Sequence, residues 1–306
     1  MNATAGISFK LLAALCATLM LACVKGLDGQ IPTGEVVFFR SFVALVPLVI
    51  WVTLQGNILA SLRTRNLGGH LVRGMSGTGG MFFNYLALAY IPLADATALS
   101  YAAPLFTVIL AATLLGEKVR LYRWSAVAVG FFGVLVMLSP YLEVGGRSMD
   151  RAMLIGGICG LTAALCSATS SVQIRHLNGK EHPAAIVLYF SLMTTLIGLA
   201  TAAFGWVMPT PTQLALLVGC GIFGGLAQIL MTLSLKHAHA SLLAPFDYTT
   251  LIWSVTIGIV FMNQFPSSAT LIGAAFVVAA GLFTFWRESR LASSPARVKV
   301  AANRSL

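Results

Sequence analysis

Charge is the scarcest commodity in this chain. Only 9% of its 306 residues are Asp, Glu, Lys or Arg, against about 25% in an average soluble domain. So little charge cannot cover a water-facing surface, which excludes a soluble fold and implies a polytopic membrane protein. Acids are rarer than bases, nine against nineteen, for a formal net charge of +10. A basic balance can mark a nucleic-acid binder, but no basic stripe interleaved with aromatics is present, and no nucleic-acid partner is expected. Cysteine is also sparse. Cys16, Cys23, Cys159, Cys166 and Cys220 all fall in apolar segments and form no CxxC pair, which reads as small buried hydrophobes. The chain has no GxxxxGK[ST] loop for ATP, no HExxH and no GxSxG, so neither ATP coupling nor those hydrolytic chemistries are indicated. His237 and His239, two residues apart, do not share a helix face and have no third ligand nearby, so no metal and no cofactor is expected.

What remains is apolar: 58% of residues are hydrophobic and the mean hydropathy is +0.88. The stretch from Pro92 to Glu117, PLADATALSYAAPLFTVILAATLLGE, sets the pattern. It opens with Asp95, runs as a long apolar helix containing Tyr101 and Pro104, and ends before Lys118, Arg120 and Arg123. A bilayer requires such segments, because about 20 apolar residues at 1.5 Å rise cross its hydrocarbon core. The chain offers ten candidate spans, at roughly 7–26, 33–54, 70–90, 94–115, 122–141, 152–174, 184–206, 213–235, 240–262 and 267–286. Their short connections often carry Pro or Gly, which end helices where the backbone reaches water. Lys10 ahead of the first apolar run loosely resembles a signal peptide, but nine further spans behind it favour an uncleaved first helix.

Placing the N-terminus in the cytoplasm puts fifteen Lys and Arg inside and only Lys25, Arg147 and Arg151 outside, with Arg40 within a span. That bias supports ten spans and cytoplasmic termini. The chain also repeats itself. LLAALC at 11–16 returns as LTAALC at 161–166, and the same offset of 150 pairs Lys25 with Arg175. An offset of 147 pairs Ser100-Tyr101 with Asp247-Tyr248, Gly116-Glu117 with Asn263-Gln264, and Gly77 with Gly224. Five spans per half invert one half relative to the other, the architecture that permits alternating access. The expected fold is all-α, with one five-helix repeat at 1–146, a second at 147–288 and a basic tail at 289–306. Rows of glycine in the third and eighth spans suit close or mobile helix packing.

Several polar residues stand out within this apolar background. Arg40 lies about 10 Å into the second span. It could bind an anionic or carbonyl-bearing substrate, or pair with Asp95, since an intramembrane charge faces a cavity or a partner. Asp247 follows Pro245 at similar depth in the ninth span. It could take a coupling proton or bind a polar substrate, or pair with Lys236 or a nearby histidine. Glu117 at a helix C-terminus opposes the helix dipole, and Lys118 and Arg120 could compensate it as an inside latch. Asp95 marks the opposite, outer end. Lys25 and Arg175 close their own helices and suit similar end roles.

Together, PLADATALSYAAPLF, LLGE, APFDY (244–248), GEVVFFRS (34–41) and IGAAFVVAAGLFTFWRE (272–288) make the chain resemble the drug/metabolite transporter superfamily, in its EamA-type ten-helix form. The resemblance covers nearly the whole chain. It implies two inverted five-helix repeats, cytoplasmic termini and a central cavity lined by the third, fourth, eighth and ninth helices. It therefore adds Asn84, Tyr85, Tyr101, Gln228, Tyr248 and Trp253 to Arg40 and Asp247 as candidate substrate-binding residues. GEVVFFRS and APFDY resemble most a bacterial subset that takes up riboflavin or S-adenosylmethionine. The chain departs from the family pattern at Asn263-Gln264, where Gly-Glu is usual. The function expected is a secondary carrier of a small organic metabolite in the bacterial inner membrane, leaning to vitamin or cofactor uptake. Export of amino acids or drug-like compounds is the alternative. An intramembrane enzyme and a passive channel are other classes; the first would need a buried catalytic set, and the acids and histidines lie mostly at helix ends. Oligomeric state is not encoded in any feature.

Overall fold

The structure is a computed structural model that describes residues 3–54, 64, 66–114, 121–141, 151–177, 181, 183–238 and 240–292. Among the described residues, twelve α-helices make up ten crossings: α1 (Ala3–Gly26), α2 (Thr33–Leu54), α3 (Leu67–Tyr90), α4 (Leu93–Ser100), α5 (Ala102–Leu114), α6 (Leu121–Leu138), α7 (Arg151–Leu177), α8 (Pro183–Ala200), α9 (Pro211–His237), α10 (Ala240–Leu243), α11 (Thr249–Met262) and α12 (Ser268–Ala292). There is no β-strand among the described residues. Among the described residues, nine of these crossings are long and apolar enough to span a bilayer. The tenth, α3, has 24 residues, about 36 Å at 1.5 Å per residue, but glycine, His70, Arg73 and Asn84 dilute its apolar character.

Two expected spans are not continuous helices. The fourth breaks at Tyr101 between α4 and α5. Pro104 has no N–H, and its ring needs the space of the Ser100 carbonyl, so the turn opens there. Tyr101 N–H instead reaches the Ala98 carbonyl at 3.1 Å in a tighter turn. The ninth contains a 3₁₀ stretch, Ala244–Tyr248, between α10 and α11, where Pro245 acts in the same way. The joint at Tyr101 thus faces a joint in the inverted partner segment.

Helix pairing has the symmetry of two five-span halves. The span-three helix α3 packs along the span-six helix α7, and α1 packs along the span-eight helix α9. These two pairings exchange when each span is renumbered by five. The same exchange relates α2·α9 to α3·α8 and leaves α6·α12, α2·α8 and α4·α11 unchanged. Adding five to every span number thus carries these main pairings into one another, as two repeats require.

Small residues make these pairings close. A methyl group on Gly225 would stand 2.7 Å from the Pro47 ring carbon, so α9 and α2 touch nearly backbone to backbone. In α6 and α12, Gly133 and Gly273 face each other, and a methyl on Gly133 would stand 2.6 Å from the Gly273 carbonyl. Large apolar side chains such as Phe261, Leu196 and Val260 point outward, as lipid contact requires.

Candidate functional site

The centre of the molecule is the pair of broken spans. The Tyr101 hydroxyl lies 2.6 Å from Thr250 Oγ1 and accepts the Leu251 N–H at 2.9 Å. That N–H belongs to the first turn of α11, where helix donors have no intrahelical partner. Tyr101 therefore caps the helix beyond the opposite joint. Its ring meets Tyr248 edge to face, with centroids 5.2 Å apart, and the Tyr248 hydroxyl rests against Gly281 of α12. The two tyrosines proposed from the repeat are thus brought together, with Tyr101 almost fully buried and Tyr248 partly exposed.

Asp247, beside this joint, does have a partner, but not one the sequence suggested. Lys10 Nζ stands 2.5 Å from Asp247 Oδ1. Lys10 is 3% exposed and the Asp247 side chain 58%. Lys10 also points at the Met231 sulfur, 3.1 Å away. A residue counted as a cytoplasmic flank is instead buried in α1, where its apolar stem packs and its ammonium needs an anion.

Arg40 projects from α2 into a contact with three other helices. Its Nε would be 3.0 Å from a methyl on Gly224 of α9, a position that also faces Met20 of α1. Tyr85 of α3 and Cys220 of α9 are its polar neighbours. Arg40 is 7% exposed, and its Nε and Nη1 have no hydrogen-bond partner among the described residues. Asp95, the partner considered for it, lies instead in the field of Lys25.

The remaining candidates separate into open and engaged groups. Asn84 and Gln228 are partly exposed on α3 and α9, the latter one turn beyond Gly224. The Trp253 indole N–H on α11 is buried without an acceptor among the described residues. At the outer end, Lys25 donates to the carbonyls of Leu88 (2.7 Å) and Ile91 (3.0 Å), and so closes the C-terminus of α3 while Asp28 and Asp95 stand near. Gln264 accepts the Leu93 N–H at 3.3 Å, so its amide oxygen serves the start of α4 where a carboxylate would serve in the usual pattern. Asn263 takes the left-handed conformation, φ 51°, which explains why Asn can stand where Gly is usual. Glu117 lies outside the described residues, as does the side chain of Arg175, which sits near the C-terminal end of α7.

Four groups escaped the sequence reading: Lys10, Glu35, Arg73 and Glu181. Glu35 is 1% exposed and accepts the Val207 N–H at 3.1 Å. Glu181 accepts the Asn66 N–H at 3.1 Å and stands 3.7 Å from His70 Nε2. Arg73 lies in the second turn of α3, 9% exposed, with its guanidinium 4.1 Å from the Phe190 ring centre. One signal could have found Arg73. Asn66 is an N-cap, its side chain accepting the Gly69 N–H at 2.9 Å, and an Asn ahead of a helical run starts the span at residue 67 rather than 70.

Known proteins match this chain over nearly its whole length. The family model of the EamA-like transporter family matches residues 4–139 and 154–286. An S-adenosylmethionine uptake transporter of Rickettsia bellii is 30% identical, covering 94% of this chain and 96% of the relative. A riboflavin transporter of Rhizobium johnstonii is 33% identical over 78% of this chain and 76% of its own. A pseudopaline exporter of Pseudomonas aeruginosa is 29% identical over 90% and 94%. A crystal structure of a further protein overlays 96% of this chain and all of its own with a TM-score of 0.65 at 21% identity, a likeness of fold. The sequence match over both halves and the ten-crossing, two-repeat packing agree: the chain belongs to the EamA-like transporter family.

Proposed function

We propose that this protein is a secondary carrier that moves a small organic metabolite across the bacterial inner membrane by alternating access, with both termini in the cytoplasm. The repeats at 1–146 and 147–288 rock against each other around the broken spans. One observation carries the reading: the Tyr101 hydroxyl at one joint lies 3.3 Å from the Tyr248 carbonyl at the other and holds Thr250 and Leu251 just beyond it. Interrupted helices expose backbone groups and dipole ends near the bilayer midplane, where a solute can use them. In the conformation described, that lock, the Lys10–Asp247 pair and the Tyr101–Tyr248 contact hold the two halves together. Opening requires them to separate, and a bound solute compensates the exposed groups. Asn84, Gln228, Trp253 and Arg40 supply the open donors and acceptors for it.

The similarity to riboflavin and S-adenosylmethionine uptake transporters favours uptake of a vitamin or cofactor. The comparable similarity to a pseudopaline exporter favours export as the second reading. Expression in a riboflavin auxotroph that lacks its own importer tests the first. Growth at low external riboflavin is expected. Failure to grow, with the protein present in the membrane, removes flavin uptake. Solute counterflow in right-side-out and inverted vesicles then gives the direction.

A further inference from the structure

Arg73 is the one buried cation of α3 that the carrier mechanism above leaves without a task. Its guanidinium lies along Gly77, whose missing side chain makes room for Nη1, and over the Phe190 ring of α8. The ring face stabilises the cation from one side. The other side is not satisfied. Nε and Nη1 of Arg73 are buried with no hydrogen-bond partner among the described residues, and so are Nε and Nη1 of Arg40. Neither arginine forms an ion pair among the described residues. The carboxylates that might have served are committed elsewhere: Asp247 to Lys10, Glu35 to Val207, and Glu181 to Asn66 and His70.

Arg40 is also the charged group whose field bears on the Arg73 cation. The two side chains project from α2 and α3, which pack on one another and both on α8. Two like charges, buried together in a membrane protein without an anion, are unfavourable twice over, by lost hydration and by mutual repulsion. Buried guanidinium N–H groups without an acceptor are suited to single oxygens of a carboxylate or phosphate, one oxygen to each group.

We propose that Arg40 and Arg73 form one site for an oxyanion, carboxylate or phosphate, borne by the transported solute. The Tyr85 hydroxyl beside Arg40 points its own proton at the Met20 sulfur, 3.7 Å away, and so lines the site as a polar neighbour. The apolar flank is supplied by Phe190 on one side and Met20 on the other. This inference rests on the carrier reading for the word transported, but the binding site itself does not.

Binding and transport therefore need separate measurement. The full chain in detergent is titrated with succinate, with inorganic phosphate and with uncharged riboflavin, following thermal unfolding and tryptophan fluorescence. An oxyanion is expected to raise the unfolding midpoint in a saturable way, and whichever of succinate or phosphate acts at lower concentration identifies the headgroup. R40Q and R73Q each raise the half-saturating concentration about tenfold or more, whereas R73K, which keeps the charge but not the planar set of donors, retains part of the effect. If both anions act equally on wild type and on R73Q and R73K, the site is wrong. Co-purification of one phospholipid per chain that R73Q releases would also overturn the assignment to solute. Uptake into proteoliposomes separates the two claims. Anion binding without uptake of any solute removes the carrier reading and leaves the site. Uptake that R40Q and R73Q leave unaltered removes the site and leaves the carrier.

Discussion

Lys10 and Arg40 are buried to nearly the same degree, 3% and 7% exposed, in helices that pack on the same partner, α9. The protein treats them differently. Lys10 faces Asp247 and is neutralised within the fold. Arg40 faces a tyrosine, a cysteine, a glycine and a methionine, and its neighbour in charge is a second arginine. Lys25 is an intermediate case, held by two backbone carbonyls rather than by a side chain. A cation with an internal counter-ion fastens helices together. A cation without one costs stability in the empty protein and can recover it only from something that arrives. On the proposal above, the difference separates the part of the molecule that holds a conformation from the part that binds a ligand.

The largest test of that division removes the internal anion. Asp247→Asn leaves the Lys10 ammonium buried against Met231 and is expected to lower stability by about 3 kcal/mol, at the low end for a broken buried pair because Asp247 itself is half exposed. Replacing Lys10 as well, in Lys10→Met with Asp247→Asn, restores most of the loss, since the orphaned charge goes with it. The unfolding midpoint of the purified protein, compared across the four members of the cycle, reads this directly. Equal loss in the single and the double variant would show that the pair is not a unit.

The next two tests use groups satisfied inside the fold. Lys25→Met removes two hydrogen bonds from a charged donor at the end of α3 and is expected to cost about 2 kcal/mol. Tyr101→Phe deletes the acceptor of the Leu251 N–H and the Thr250 contact, for a loss of about 1 kcal/mol. Its effect on function has the opposite sense. The hydroxyl closes one conformation, so in a background without the native cysteines the phenylalanine variant exposes a cysteine placed near the joint, for example at Thr249, to a water-soluble maleimide more rapidly. An unchanged labelling rate would mean that the hydroxyl does not hold the joint.

Much of this was legible in the residues, and the limits were physical. Ten expected spans match ten crossings, nine of them apolar enough on their own among the described residues, because a bilayer demands about 20 apolar residues whatever the fold. The repeat pairing of Tyr101 with Tyr248 placed two residues that do touch. Pro104 and Pro245 were visible, yet a proline states only that a carbonyl loses its donor; whether the helix kinks or breaks depends on what else can satisfy the backbone. Here Tyr101 reaches across to a helix 150 positions away, which no local pattern contains. Lys10 misled for the same reason. Near the N-terminus a lysine normally marks the cytoplasmic flank, and only the packing of α1 on the Ala244–Tyr248 stretch turns it inward to Asp247. Arg73 misled through an assumed helix start three residues late. With Lys10 and Arg73 inside spans, the charge bias falls from fifteen to thirteen against three and still favours the same orientation.

The smallest expected effect is the sharpest, because its sign is opposite to the others. Arg73→Met keeps a flexible chain of similar reach, retains contact with Phe190 through sulfur–aromatic packing, and removes one of two repelling buried charges. If the empty site is unsatisfied, this variant stabilises the ligand-free protein by about 1 kcal/mol, because an unmatched guanidinium is replaced by a side chain that needs no partner. If instead Arg73 were a structural cation like Lys10, the same substitution would destabilise. The measurement is the unfolding midpoint in a buffer of chloride and a zwitterionic detergent, free of carboxylate and phosphate, since any oxyanion present would stabilise wild type alone and reverse the comparison. A rise in the midpoint in that buffer, together with loss of the response to added anion, identifies a site whose instability is the reason it binds.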